Sequence, residues 1–182
     1  ARLQQAVAWR LARHCRDLPL PEGPVVDLGA GSGNLSRALS AQRPGLDPLL
    51  VDNCPELLAE AAAPAGRCRP WDLNAGLPPE ARAAALLLSS FALHWLNAPE
   101  QQLRHWCEQL VPGGWLALAV PLQGSFISWH QAAEGAGVAC SALPLPREGE
   151  LCRQPQPLEE FRADKRRRRV LVARRRRACP RA

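Results

Sequence analysis

The chain has 182 residues, 47% of them hydrophobic, and a formal net charge of +6. That length can bury the core of one domain, and no run of about 18 apolar residues offers a membrane span. The opening segment carries Arg2, Arg10, Arg13 and Arg16 spread along it, so it does not read as a signal peptide. In chain order, the first predicted element is a helix over 3–16, with Leu3, Val7 and Leu11 at helical spacing. A short buried strand over 24–28 follows, rich in β-branched residues, and runs into Gly29, Gly31 and Gly33. Glycines alternating in this way let the backbone turn tightly against a ligand, because no Cβ obstructs it. Asn34 to Leu39 begin an amphipathic helix over 34–42, whose unbonded N–H groups and positive dipole end face the same crevice. The next strand, 47–52, ends on Asp52, about twenty residues after the glycines, where a Rossmann-like sheet places a carboxylate for ribose hydroxyls. These residues describe a site for an adenosine-type ligand.

The loop departs from the dinucleotide pattern. The dinucleotide fingerprint G-x-G-x-x-G has a third glycine that allows close helix–strand packing beside a pyrophosphate, whereas here the third glycine falls one residue early, at Gly33, and position 34 is Asn. Beyond this loop the sequence predicts helices over 55–62, 99–110 and 125–136, and strands over 67–71, 85–90 and 115–121. The strand at 85–90 is apolar until Ser89 and Ser90, as expected where both faces of a sheet are covered. Leu103, Trp106, Cys107 and Leu110 form a core-facing stripe on the helix at 99–110. Pro112-Gly113-Gly114 is expected to break that helix before the fifth strand. Alternating strands and helices imply an α/β fold with a parallel sheet and right-handed crossovers.

The motif D-x-G-x-G-x-G, from Asp27 to Gly33, resembles motif I of the class I S-adenosylmethionine-dependent methyltransferases. The resemblance implies a Rossmann-like three-layer sandwich and S-adenosyl-L-methionine as cofactor. It assigns cofactor binding to Asp27, Gly29, Ala30, Gly31, Gly33, Asp52, Asn53, Asp72, Leu73, Ser89 and Ser90, with Asp72 facing the adenine amino group. The segments Ser89 to Trp95, Val111 to Trp115, Gly124 to Phe126 and Ala1 to Ala8 look like the malonyl-acyl-carrier-protein O-methyltransferases of biotin synthesis. That narrower likeness covers residues 1–146. Ser90 stands where that family often has Asn, and His94 where it often has Gln, so both positions bear on the acceptor. The function implied is O-methylation of the free carboxylate of a malonyl group on an acyl carrier protein. The alternatives are another small acid, a quinone-type acceptor, or a truncated remnant that binds cofactor without activity. A carboxylate acceptor is already ionised at neutral pH, so the enzyme need only align the reactants and exclude water. His94 is the candidate catalytic residue for an acceptor that must lose a proton.

The charge divides unevenly. Residues 1–161 hold 12 Arg and 16 acids, a net −4, while residues 162–182 hold ten Arg, one Lys and one acid, a net +10. Such a tail could attract nucleic acid or an acidic protein, but it has no aromatic residue to stack a base. Residues 147–182 are therefore expected as a disordered Arg-rich tail beside a core at 1–146, with the family's last strands missing and one strand left as an open edge. With Ala1 in first place and no Met in the chain, truncation is expected at both ends. Seven scattered Cys without a C-x-x-C pair, and four His without ligand spacing, predict reduced thiols in a cytoplasmic compartment and no metal site, and the chain is expected as a monomer.

Overall fold

The computed structural model describes residues 2–61, 63–64, 66–139, 145–147, 149, 151, 158–163 and 170–176. Its elements alternate as the periodicity predicts. Helix α1 (Arg2–Cys15) precedes β1 (Val25–Leu28), α2 (Asn34–Gln42), β2 (Leu49–Asp52), α3 (Pro55–Glu60) and β3 (Cys68–Pro70). Then come β4 (Ala84–Ser90), α4 (Pro99–Glu108), β5 (Leu110–Ala119) and α5 (Ile127–Gly135). The strands lie in the order β3-β2-β1-β4-β5, continued by β7 (Val170–Arg175) and β6 (Leu158–Ala163), and β1 to β5 are mutually parallel. Reversal of strand order at β1 and β4 opens a crevice at the carboxyl ends of these strands, the usual ligand position in open α/β sheets.

Two strands stand where the sequence reading expected none. β6 (Leu158–Ala163) and β7 (Val170–Arg175) extend the sheet, β7 running antiparallel to β5, and β6 antiparallel to β7. The strand β5 is therefore paired on both sides, and the edges fall on β3 and β6. Of the rest of the segment expected as a disordered tail, Arg147 is bonded to Gln123 and Leu151 is buried in the core, Gly149 and Arg176 are also described, and the other residues lie outside the described ones. In β7, Val172 and Ala173 are buried. Arg174 lays its guanidinium over the Trp115 ring, 5.4 Å from the centroid, and donates from Nε to Gly113 O. Arg175 donates to the carbonyls of Glu108 and Leu110 at the junction of α4 and β5. Two arginines of the basic run thus bond backbone carbonyls at the sheet's end, which a solvated tail would not do.

The core follows strand alternation. Leu87, Leu116 and Leu118 face one side, against Leu103, Trp106 and Cys107 of α4. Leu86, Leu88, Trp115 and Ala117 face the other, against Leu11, Ala12 and Cys15 of α1 and Leu35 and Leu39 of α2. Trp115 Nε1 donates to Pro19 O at 3.1 Å, fixing the segment after α1 against the sheet. Pro112-Gly113-Gly114 lies inside β5 as an irregularity in the pairing with β4, instead of before the strand. A Cβ on Gly114 would come within 2.8 Å of Ala84 O, so only glycine allows this close approach.

Candidate functional site

The loop after β1 is tied to the end of β2. Gly29 N and Ala30 N both donate to Val51 O, at 2.8 and 3.0 Å, and Gly31 N donates to Asp52 Oδ2 at 2.8 Å. Asp52 Oδ1 accepts in addition from Cys54 N at 2.9 Å. Gly29, Gly31 and Gly33 all have positive φ, at 70°, 51° and 74°, a conformation favourable only to glycine. Each has a different neighbour. A Cβ on Gly29 would overlap Ala92 Cβ at 2.1 Å, and one on Gly33 would press on Ala61 Cβ at 3.0 Å. At Gly31 a Cβ would meet only Leu57 Cδ1, at 4.0 Å, because that side opens into a cleft.

The cleft has a volume of about 490 Å³ and brings together most of the residues singled out in the sequence. Asp27, Gly29, Ala30, Gly31, Asp52, Asn53, Asp72, Leu73 and Ser90 all line it. Three others lie outside its wall. Gly33 packs the start of α2 against α3 and β2. Ser89 is fully buried and donates from Oγ to Leu28 O at 2.9 Å, because alternation along β4 turns it inward while Ser90 faces the cleft. His94 sits on the short 3-10 turn Leu93–Trp95, its ring centroid 5.1 Å from that of Trp95. Its Nδ1 is buried without a hydrogen-bond partner, and burial pulls its pKa down to about 4. His94 is therefore neutral at physiological pH.

Asp27 is the most constrained group of the site. It is 1% exposed, yet it lines the cleft. Oδ2 accepts from Ser36 N at 3.1 Å and from Ser36 Oγ at 2.7 Å, at the first turn of α2, whereas Oδ1 has no partner. Burial pushes its pKa up to about 6, against the lowering effect of the two Ser36 bonds, and the charge of Asp52 adds to the rise. An orphaned, buried carboxylate oxygen beside a cleft is complementary to a cationic ligand group. Asp72, which also lines the cleft, accepts at Oδ1 from Asn74 N and Nδ2, both at 2.9 Å, leaving Oδ2 for a ligand.

Sequence reasoning missed the wall that follows β4. Phe91 adopts φ 59°, rare for a bulky residue, and is held there by its N–H bond to Ala119 O at 2.8 Å. The left-handed turn carries Ala92, Trp95 and Leu96 across the cleft, and Asn97 N anchors the segment on Asn74 Oδ1 at 2.9 Å. Gln4 and Ala8 of α1 also line the cleft. A single positive-φ aromatic residue leaves no periodic signal, so this turn was not visible beforehand. Among the described residues no group of three or more His, Cys, Asp or Glu is placed to hold a metal ion. Asp52→Ala is expected to lower stability by about 1–3 kcal/mol, since it leaves the Gly31 and Cys54 N–H groups without their acceptor. Urea denaturation checks this, and an unchanged midpoint would mean the loop is held elsewhere.

A family model described as a methyltransferase domain matches residues 2–168. The chain is 35% identical over 102 residues to trans-aconitate 2-methyltransferase of Mycobacterium tuberculosis, a stretch covering 53% of this chain and 36% of that one. It is 38% identical over 138 residues to the biotin biosynthesis bifunctional protein BioCD of Bordetella avium, covering 71% of this chain and 28% of that one. The chain thus spans about a third of the length of these relatives. Among solved structures, a methyltransferase of Thermotoga maritima superposes with a TM-score of 0.64 at 17% identity, covering 95% of this chain and 91% of that one. At that identity the likeness concerns the fold, which is the Rossmann-like methyltransferase sandwich expected from the sequence.

Proposed function

The chain belongs to the methyltransferase domain family, and from that premise we propose that it transfers a methyl group from S-adenosylmethionine to an ionised carboxylate, that of a malonyl group carried on an acyl carrier protein. When bound, the cofactor supplies an electrophilic methyl group on a positively charged sulfur. The residues present fit it. Asp27 Oδ1 awaits a cationic partner such as the α-ammonium, and the space above Gly31 admits a ligand where a side chain would block it. Asp52, already oriented by two backbone N–H groups, keeps lone pairs for ribose hydroxyls, and Asp72 Oδ2 does the same for the adenine amino group. In this reading Gly33 and Ser89 shape the site from behind.

One observation carries the choice of acceptor. The imidazole of His94 lies outside the cleft wall with its Nδ1 buried, so a base poised to deprotonate a phenol or alcohol is not at hand there. The three aspartates of the wall are committed to N–H groups or buried. An acceptor that arrives ionised needs no base; alignment and exclusion of water then suffice. The relative named for biotin biosynthesis covers more of the chain than the trans-aconitate enzymes do, which favours a malonyl carrier over a free tricarboxylic acid. A second small acid remains the alternative, because the trans-aconitate relatives also act on an acid by name. The reading includes a cytoplasmic monomer, in which the buried thiols Cys15 and Cys107 stay reduced. No helix among the described residues is long and apolar enough to cross a membrane.

The test is mass spectrometry of malonyl-loaded carrier protein incubated with the chain and cofactor. Methyl ester formation is expected, with a turnover rate at saturating cofactor that stays flat from about pH 6 to 9, since a carboxylate acceptor titrates near 4. Methylation of a phenol but of no acid, or a rate climbing with pH through the imidazole range, would sink this reading.

A further inference from the structure

Trp95 is 65% exposed, yet it lines the cleft, and the fold makes no use of it in the core. A tryptophan left this exposed at a concave site is a large apolar surface awaiting a ligand. Its backbone is not loose. Trp95 N donates to Ala92 O at 2.9 Å and Leu96 N to Leu93 O at 3.2 Å, while Leu93 is fully buried and Asn97 N is bonded to Asn74. The indole rests against the neutral ring of His94, so the residue behind it adds no charge. Trp71 also lines the cleft, but its Nε1 is bonded to Gly76 O and its ring packs against the core, so the fold already uses it.

The rest of the wall mixes neutral polar residues, among them Asn34, Asn53 and Ser90, with apolar and acidic ones, and among the described residues its only charged side chains are acidic. Asp27, Asp52 and Asp72 place three carboxylates on it, while Phe91 and Leu96 flank Trp95. Such a cleft attracts a cationic cofactor and repels a polyanion within a Debye length of about 8–10 Å. From these features, and resting on the carboxylate reading above, we propose that Trp95 is the acceptor platform, and that it selects an acid with a single carboxylate on an apolar or thioester-linked chain. The indole face would cover that chain and leave the carboxylate oxygen directed into the cleft, towards the reacting end of a bound methyl donor. A free tricarboxylate would bring two further negative charges against the aspartates.

Binding in a dead-end complex tests this without requiring turnover. The full chain is loaded with S-adenosylhomocysteine and titrated calorimetrically with malonyl-pantetheine thioester and, separately, with trans-aconitate. The thioester is expected to bind at least tenfold more tightly than the tricarboxylate. Trp95→Ala is expected to weaken thioester binding about tenfold, or about 1.4 kcal/mol, with Trp95→Phe retaining most of it. S-adenosylhomocysteine affinity should stay within about twofold in both variants, given that no cofactor contact is assigned to Trp95. Equal thioester affinity in wild type and Trp95→Ala would overturn the proposal, as would tighter binding of trans-aconitate. A tenfold loss of S-adenosylhomocysteine affinity in Trp95→Ala would reassign the indole to the cofactor. If neither acid binds but catechol does, the carboxylate reading itself has failed, and the proposal with it.

Discussion

Gly31→Val is expected to weaken S-adenosylhomocysteine binding by at least a hundredfold, about 3 kcal/mol, in a protein that still folds. The first atom of the new side chain has room, since the nearest neighbour of a Cβ there is Leu57 Cδ1 at 4.0 Å. The two methyl groups beyond it project into the cleft and take up ligand volume. Part of the effect on stability comes from the backbone: φ is 51° at this position, and a β-branched residue held there costs about 1–3 kcal/mol. Gly31→Ala separates the two effects, because it carries most of the strain and little of the obstruction. Gly29→Ala should behave in the opposite way. Its Cβ would lie 2.1 Å from Ala92 Cβ, so it should lower the melting temperature sharply. Calorimetric titration beside a thermal melt reads both quantities. Wild-type affinity in Gly31→Val would show that this loop does not form the ligand's floor.

The contrast between these glycines marks where the sequence was readable and where it was not. Motif spacing put the loop and Asp52 at one crevice, and the family resemblance added Asp72, because the succession of elements and the 3.6 and 2.0 periodicities are local properties that a single chain displays. It could not say which glycine faces the ligand, since Ala92, Ala61 and Leu57 approach the loop from distant parts of the chain. Ser89 and Ser90 show the same limit: adjacent in sequence, they face opposite sides of the sheet, and only the register of β4 decides which reaches the cleft. The last strands were hidden by charge. Val170 to Arg175 contains a short apolar run amid arginines, and periodicity treats Arg174 and Arg175 as solvated. In the sheet these arginines bind carbonyls and cover Trp115, so side chains that read as a tail complete an element. Phe91 and Trp95 were illegible for a different reason. A left-handed turn at a bulky residue is imposed by its bond to Ala119, not by any local preference.

Cofactor affinity is expected to rise about tenfold between pH 5 and 7, and Asp27→Asn should flatten that rise. In the ligand-free protein, burial raises the pKa of the Asp27 carboxyl to about 6, so at pH 5 it is mostly protonated. A cationic group on the orphaned Oδ1 stabilises the ionised form and lowers that pKa. Binding at pH 5 must then expel a proton, which weakens it by about tenfold for one unit below the free pKa. The linkage to folding has the opposite sense. A carboxyl whose folded pKa lies above its unfolded value contributes stability below about pH 4 and loses it as pH rises through about 6. From 3.8 to about 6, the difference amounts to about 3 kcal/mol at neutral pH. Asp27→Asn keeps an oxygen to accept both Ser36 bonds and carries no charge. The variant should therefore be more stable than the wild type at pH 7 in the absence of ligand, and should bind the cofactor more weakly. Thermal melts and titrations at pH 5 and pH 7 measure the two effects in the same samples. If Asp27→Asn lowers stability while leaving the pH slope of binding intact, the buried carboxylate is a structural group and the cofactor's cationic end lies elsewhere.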